Sequence, residues 1–177
     1  MNNLLLFVML SLFSHYNDDL KSVPPLQKLT IPIDSSFTSI TIYNDINLFI
    51  TEGSKNEIIT ENADIADAIK FKVKDEILIV RRKSSFLHGK IHGKIIICVR
   101  NLHCITIMGD AEVRTIGNLS YRNLKLEIFG DGAIYASTVA MEVNTFMKGL
   151  GKIEVKGNFT NTTVDRDAYG DILTSYR

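Results

Sequence analysis

The chain has little of what would fix its class by chemistry. Among 177 residues there are only two cysteines, Cys98 and Cys104, three prolines and no tryptophan. Two cysteines do not make the disulfide framework of a small secreted scaffold, and they read as free, mostly buried thiols. Twenty basic and twenty acidic side chains leave no formal net charge, which argues against a nucleic acid or an anionic membrane as the main partner. There is no Gly-x-Ser-x-Gly elbow, no phosphate loop and no dinucleotide fingerprint. No long stretch shows the three- and four-residue apolar spacing of an amphipathic helix.

What is present is β patterning with a period. A short motif recurs as Gly109-Asp110-Ala111-Glu112-Val113, Gly130-Asp131-Gly132-Ala133-Ile134, Gly149-Leu150-Gly151-Lys152-Ile153 and, more faintly, Ala168-Tyr169-Gly170-Asp171-Ile172. The spacing is about twenty residues, a solenoid period in which each unit buries its apolar face on the next. Before each motif stand Ile105 and Ile107, Leu126 and Ile128, Thr145 and Met147; after it come Val113, Ile134, Ile153 and Ile172. Arg114, Tyr135, Glu154 and Leu173 fall between as a mostly outward set. Period-two alternation on both sides of a glycine reads as strand, tight corner, strand. The corner residues Gly109, Gly130, Gly132, Gly149, Gly151 and Gly170 supply positive φ or a missing Cβ. A further apolar position, near Leu119, Val139 or Met141, and Phe159, points to another side of each coil.

The expected fold is all-β: a short right-handed parallel β-helix preceded by an N-terminal set of strands and hairpins. Residues 1–14 hold a ten-residue apolar run and are expected to be a signal peptide, too short to span a bilayer comfortably. Residues 15–30, with Pro24-Pro25, read as a linker, and 31–177 as one domain that keeps no stable membrane span once the leader is removed. Strand signals cover 37–43, 46–51 and 58–60, one helical turn 64–68, and a hairpin Ile69–Lys74 and Ile77–Arg81 around Asp75-Glu76.

Residues that could carry chemistry are few. Asp110 and Asp131 take the same place in adjacent coils and are weak metal candidates, since Ca²⁺ wants six to eight oxygens and Leu150 and Tyr169 follow them; a solvated corner is the expectation. His88 and His92 lack a third ligand and read as a surface loop. Arg81, Arg82, Lys83, Lys90 and Lys94 form a basic stretch that could face an acidic glycan or simply be solvated. Lys152 beside Asp171 is expected as a cross-strand pair. Arg166 stands where an apolar residue is expected and reads as a loosened end coil, with a buried arginine organising a ligand as the alternative. No catalytic residue and no cofactor is expected.

The order of these features resembles the putative auto-transporter adhesin, head GIN domain family of bacterial envelope proteins. Phe37-Thr38-Ser39-Ile40 leading to Asp45-Ile46-Asn47-Leu48-Phe49-Ile50-Thr51-Glu52-Gly53 looks like its opening strand pair. Gly93-Lys94-Ile95-Ile96-Ile97-Cys98-Val99-Arg100-Asn101-Leu102 is similar to its entry into the repeats. The resemblance implies a β-helical periplasmic, cell-surface or extracellular protein with an adhesion role. The expectation is an exported non-enzymatic domain that binds surface glycans or envelope proteins and forms a homo-oligomer through its C-terminal coil. A β-helical carbohydrate-active enzyme and a self-assembling scaffold like the bactofilins are the alternatives.

Overall fold

The computed structural model describes residues 28–83, 93–167 and 169–176. The leader, most of the linker, Lys90 and both loop histidines lie outside these residues. Within them run β1 (Leu29–Pro32), β2 (Ser39–Tyr43), β3 (Leu48–Glu52), β4 (Glu57–Thr60), α1 (Ala63–Ala68), β5 (Ile69–Lys74), β6 (Ile77–Arg82) and β7 (Ile95–Val99). There follow β8 (Cys104–Met108), β9 (Glu112–Ile116), β10 (Leu119–Ser120), β11 (Asn123–Phe129), β12 (Ala133–Lys148), β13 (Lys152–Arg166) and β14 (Asp171–Tyr176).

All the described strands join one mixed sheet that curls on itself. Two parallel runs make up most of it. In one, β6, β2, β8, β11 and the second halves of β12 and β13 follow one another; in the other, β7, β3, β9, the first halves of β12 and β13, and β14. The long strands β12 and β13 therefore each serve both runs. At one end the pattern turns antiparallel: β5 pairs β6, β4 pairs β7, and β1 pairs β4.

Register follows the repeat. Ile42, Ile107, Ile128 and Met147 are successive partners, as are Leu48, Val113, Ile134 and Ile153. All eight are buried, so the inward side chains pile in files across the strands. Burying one such Ile or Val is worth roughly 1.5–3 kcal/mol. The files close because the corners stack as tightly as the strands. Gly109, Gly130 and Gly149 sit at φ 130, 134 and 135°, where a side chain is strained. A Cβ on Gly130 would lie 2.5 Å from the Gly109 carbonyl oxygen, and one on Gly149 would collide with that of Gly130. Asn44, at φ 70°, takes the equivalent place between β2 and β3, its NH donating to Met108 O at 3.1 Å.

The order of the rungs is not the order of the chain. β6 and β7 lie outside β2 and β3, although they come later in sequence, and after β7 the chain passes beyond that pair to start β8. The single-turn helix α1 makes the reversal before β5. The Asn62 side chain accepts from Ile65 NH at 3.0 Å, and Ile65 and Ala68 are buried beneath it.

Three local expectations change. The strands ahead of the repeats are not a separate set, because β2, β3, β6 and β7 are themselves rungs. At the further apolar position Leu119 and Phe159 are buried, but Val139 and Met141 are 42% and 54% exposed, where the buried positions of β12 switch from Ile134, Ala136 and Thr138 to Val143, Thr145 and Met147. Lys152 lies in register with Asp171, yet its ammonium reaches Glu154 on its own strand at 2.9 Å. Two positions along a strand point the same way, so the nearer carboxylate wins.

Candidate functional site

The outward columns of β9, β12 and β13 gather the most organised polar surface among the described residues. Phe49, Arg114, Tyr135, Glu154 and Leu173 are successive cross-strand partners. The Arg114 guanidinium lies 4.0 Å from the centre of the Tyr135 ring, and the Lys152 ammonium 5.4 Å from it. Each cation is also held by a carboxylate: Arg114 Nε is 2.6 Å from Glu112 Oε1, and Lys152 and Lys156 reach the two oxygens of Glu154 at 2.9 and 2.6 Å. Hydrogen bonds from Lys156 first and Lys152 second bring the Glu154 carboxyl down to about 2. Cation–π contact and ion pairing act together here, in exposed contacts that water and salt screen. They link neighbouring side chains: Glu154 pairs with both Lys152 and Lys156, and the Tyr135 ring is shared by Arg114 and Lys152.

Beside this column lies a shallow depression of about 400 Å³, lined by Phe49, Arg114, Ile116, Tyr135, Ser137, Glu154 and Lys156. It offers apolar surface, hydroxyl groups, two cations and the Glu154 carboxylate that pairs with one of them. A second polar node sits on the other parallel run, where Glu127 accepts from Lys125 at 2.6 Å and Thr106 at 3.0 Å. Burial opposes ionisation of Glu127, but these bonds win and hold its carboxyl below the ordinary range. Next to it Tyr43, Met108 and Phe129 are register partners with their side chains more than a third exposed, and Phe146 packs on Phe129 at 5.3 Å between ring centres.

The residues singled out from the sequence are scattered. Asp131 Oδ1 accepts from Leu150 NH at 3.0 Å, and Asp110 is exposed one corner earlier. Among the described residues no three His, Cys, Asp or Glu side chains gather as metal ligands. Arg81 and Lys94 are exposed and Lys83 half-buried. Arg82 turns inward, its side chain only 4% exposed, with Nε 2.7 Å from Asp45 Oδ1 and a second nitrogen 3.0 Å from Oδ2. Its place was legible by parity, since Leu78, Val80 and Arg82 alternate onto the buried face of β6. The Arg166 side chain lies outside the described residues. Cys98 and Cys104 are free and half-buried, on different parallel runs, and burial pushes both thiols above their ordinary value.

The Arg114–Tyr135 column was readable as an outward set; the depression beside it was not. Phe49 completes it, and Phe49 joins only because β3 is a rung, which no repeat motif announced. No helix of the described residues is long and apolar enough to cross a membrane.

Comparison with known proteins places the fold. The crystal structure of a putative adhesin from Parabacteroides distasonis superposes with a TM-score of 0.72 at 12% identity, covering 84% of this chain and 64% of that one. The crystal structure of a putative lipid binding protein from the same species gives a TM-score of 0.61 at 14% identity, with coverage of 84% and 66%. The chain therefore spans just under two thirds of either protein. No curated protein matches it. The profile of one family matches residues 36–175, and the chain belongs to that family, described as putative auto-transporter adhesin, head GIN domain.

Proposed function

We propose that this chain is an exported, non-enzymatic binding domain of the cell envelope, built as a short right-handed parallel β-helix whose outer ladder contacts surface glycans or envelope proteins. Right-handedness is the general rule for crossovers between parallel strands. The observation that carries the reading is the linked column Glu112, Arg114, Tyr135, Lys152, Glu154 and Lys156 beside an open depression. An array whose side chains are already paired with one another loses less freedom on contact than an unpaired one, which favours recognition of an extended polar ligand. Ion pairs at a rim contribute more to orientation and encounter than to affinity. Family membership and the name given to the Parabacteroides adhesin support the same direction.

The test is a binding screen of the domain against glycans and isolated envelope fractions, repeated with a double variant, Arg114→Ala with Tyr135→Ala. Binding that falls at least about tenfold in the variant, the loss of about 1.4 kcal/mol, is the expected result. Binding by the variant equal to wild type, or no binding by wild type to any component, overturns the proposal. Fractionation of cells tests export separately, and a wholly cytoplasmic pool contradicts it.

A further inference from the structure

The lining of the depression discriminates among the ligands that an outer ladder can hold. Arg114 and Lys156 share it with one carboxylate, Glu154, so the lining carries a net positive charge. Glu112 engages Arg114 through Nε, which leaves the terminal nitrogens of the guanidinium, a fork that matches a carboxylate. Glu154 gives one oxygen to Lys156 and the other to Lys152, so two ammonium groups share one carboxylate. Arg114 on β9 and Lys156 on β13 stand two rungs apart, with β12 between them, or about 10 Å across the strands. Half-buried Phe49 and the more exposed Ile116 add apolar surface. The strands beneath are paired on both sides, β9 by β3 and β12, and β12 by β9 and β13. No open backbone edge is offered here for a peptide to join as a strand, so recognition falls to side chains.

We infer that the depression binds a saccharide chain bearing carboxylates, of the uronate or sialate class. The inference rests on the binding role proposed above and names the ligand of that same site. One carboxylate takes the terminal nitrogens of Arg114, and a second, further along the chain, takes Lys156; both are charge-assisted bonds. The C–H face of a sugar ring lies against Phe49 and Ile116, and ring hydroxyls bond Ser137. Glu154 is the competitor: it occupies Lys156 in the free protein, and its own charge opposes that of the ligand.

Calorimetric titration of the full chain tests this, with an oligogalacturonate and a polysialate, each beside its methyl ester, and with oligoglutamate as an acidic peptide. The expected result is binding of a carboxylated saccharide that weakens as salt rises and falls at least about tenfold on esterification; the tighter of the two acids identifies the sugar class. Arg114→Gln is expected to cost roughly tenfold in affinity. Glu154→Gln removes the competitor of the ligand and is expected to tighten binding, which a variant that merely loosened the surface would not do. Failure of both acids, esters that bind as well as the acids, oligoglutamate that binds as tightly, or weaker binding by Glu154→Gln overturns the inference. Where the esters bind equally well and the Arg114→Ala, Tyr135→Ala double variant loses them, the binding role stands and only the charged ligand falls. Where wild type binds no component of the wider screen either, both fall.

Discussion

The glycine-cornered rungs from β8 onward and the rungs built by β2, β3, β6 and β7 reach the same geometry by different means. In the first region the corners are Gly109, Gly130 and Gly149, each too close to the next carbonyl for a Cβ. In the second, Asn44 takes the left-handed corner at φ 70° and the neighbouring Asp45 reaches Arg82 on β6, 37 residues away. Backbone contact runs through both regions, since Gly109 stacks on the Asn44 carbonyl, and the second adds a long-range side-chain pair. Neighbouring rungs in the first region are joined by one short stretch of chain, so their corners need only pack. The second is interrupted by α1, the β5–β6 turn and the segment between β6 and β7, and a specific bridge fastens what the chain does not.

That difference predicts unequal responses to substitution. The largest effect belongs to Gly149→Ala, which forces a Cβ onto the Gly130 carbonyl at φ 135°; a loss of about 4 kcal/mol or more, or failure to fold, is expected from denaturant unfolding. Ile128→Ala, in the fully buried file, is expected to cost about 3 kcal/mol by the same measurement. Asp45→Asn keeps the shape but removes the charge opposite the buried Arg82, at an expected cost of about 1–2 kcal/mol. A loss at Asp45 equal to that at Gly149 would erase the distinction between the regions.

The smallest effect concerns pH. Glu154 titrates near 2 in the folded chain against an ordinary 4.5. A depressed carboxyl contributes stability that is fully present above its unfolded value and fades as pH falls from about 4.5 towards 2. Carboxyl resonances followed by NMR should place Glu154 well below the other glutamates, and Lys156→Ala should return it towards them. Because the group is exposed, salt should weaken the shift. An unshifted Glu154 would mean that the Lys152 and Lys156 contacts do not persist in solution.

The repeat made half of this fold legible. Glycines at a constant period, flanked by alternating Ile and Val, carry both the strand directions and the register, and Ile107 against Ile128 follows from counting alone. The earlier rungs were legible as strands but not as rungs, because Asn44-Asp45 replaces the glycine signal and because β6 and β7 stack outside β2 and β3 against chain order. Such pairing is a long-range choice that no local period records. The same gap hid the depression: Arg114 and Tyr135 lie in the visible repeats, whereas Phe49 comes from the rung without a motif.

The stacked files can be tested directly by methyl NMR on the folded chain. Cross-peaks linking Ile42 to Ile107, Ile107 to Ile128 and Ile128 to Met147, in that order, are the predicted result. Absence of the Ile42–Ile107 contact, with the later two present, would detach the first rungs from the repeats; absence of all three would contradict the fold itself.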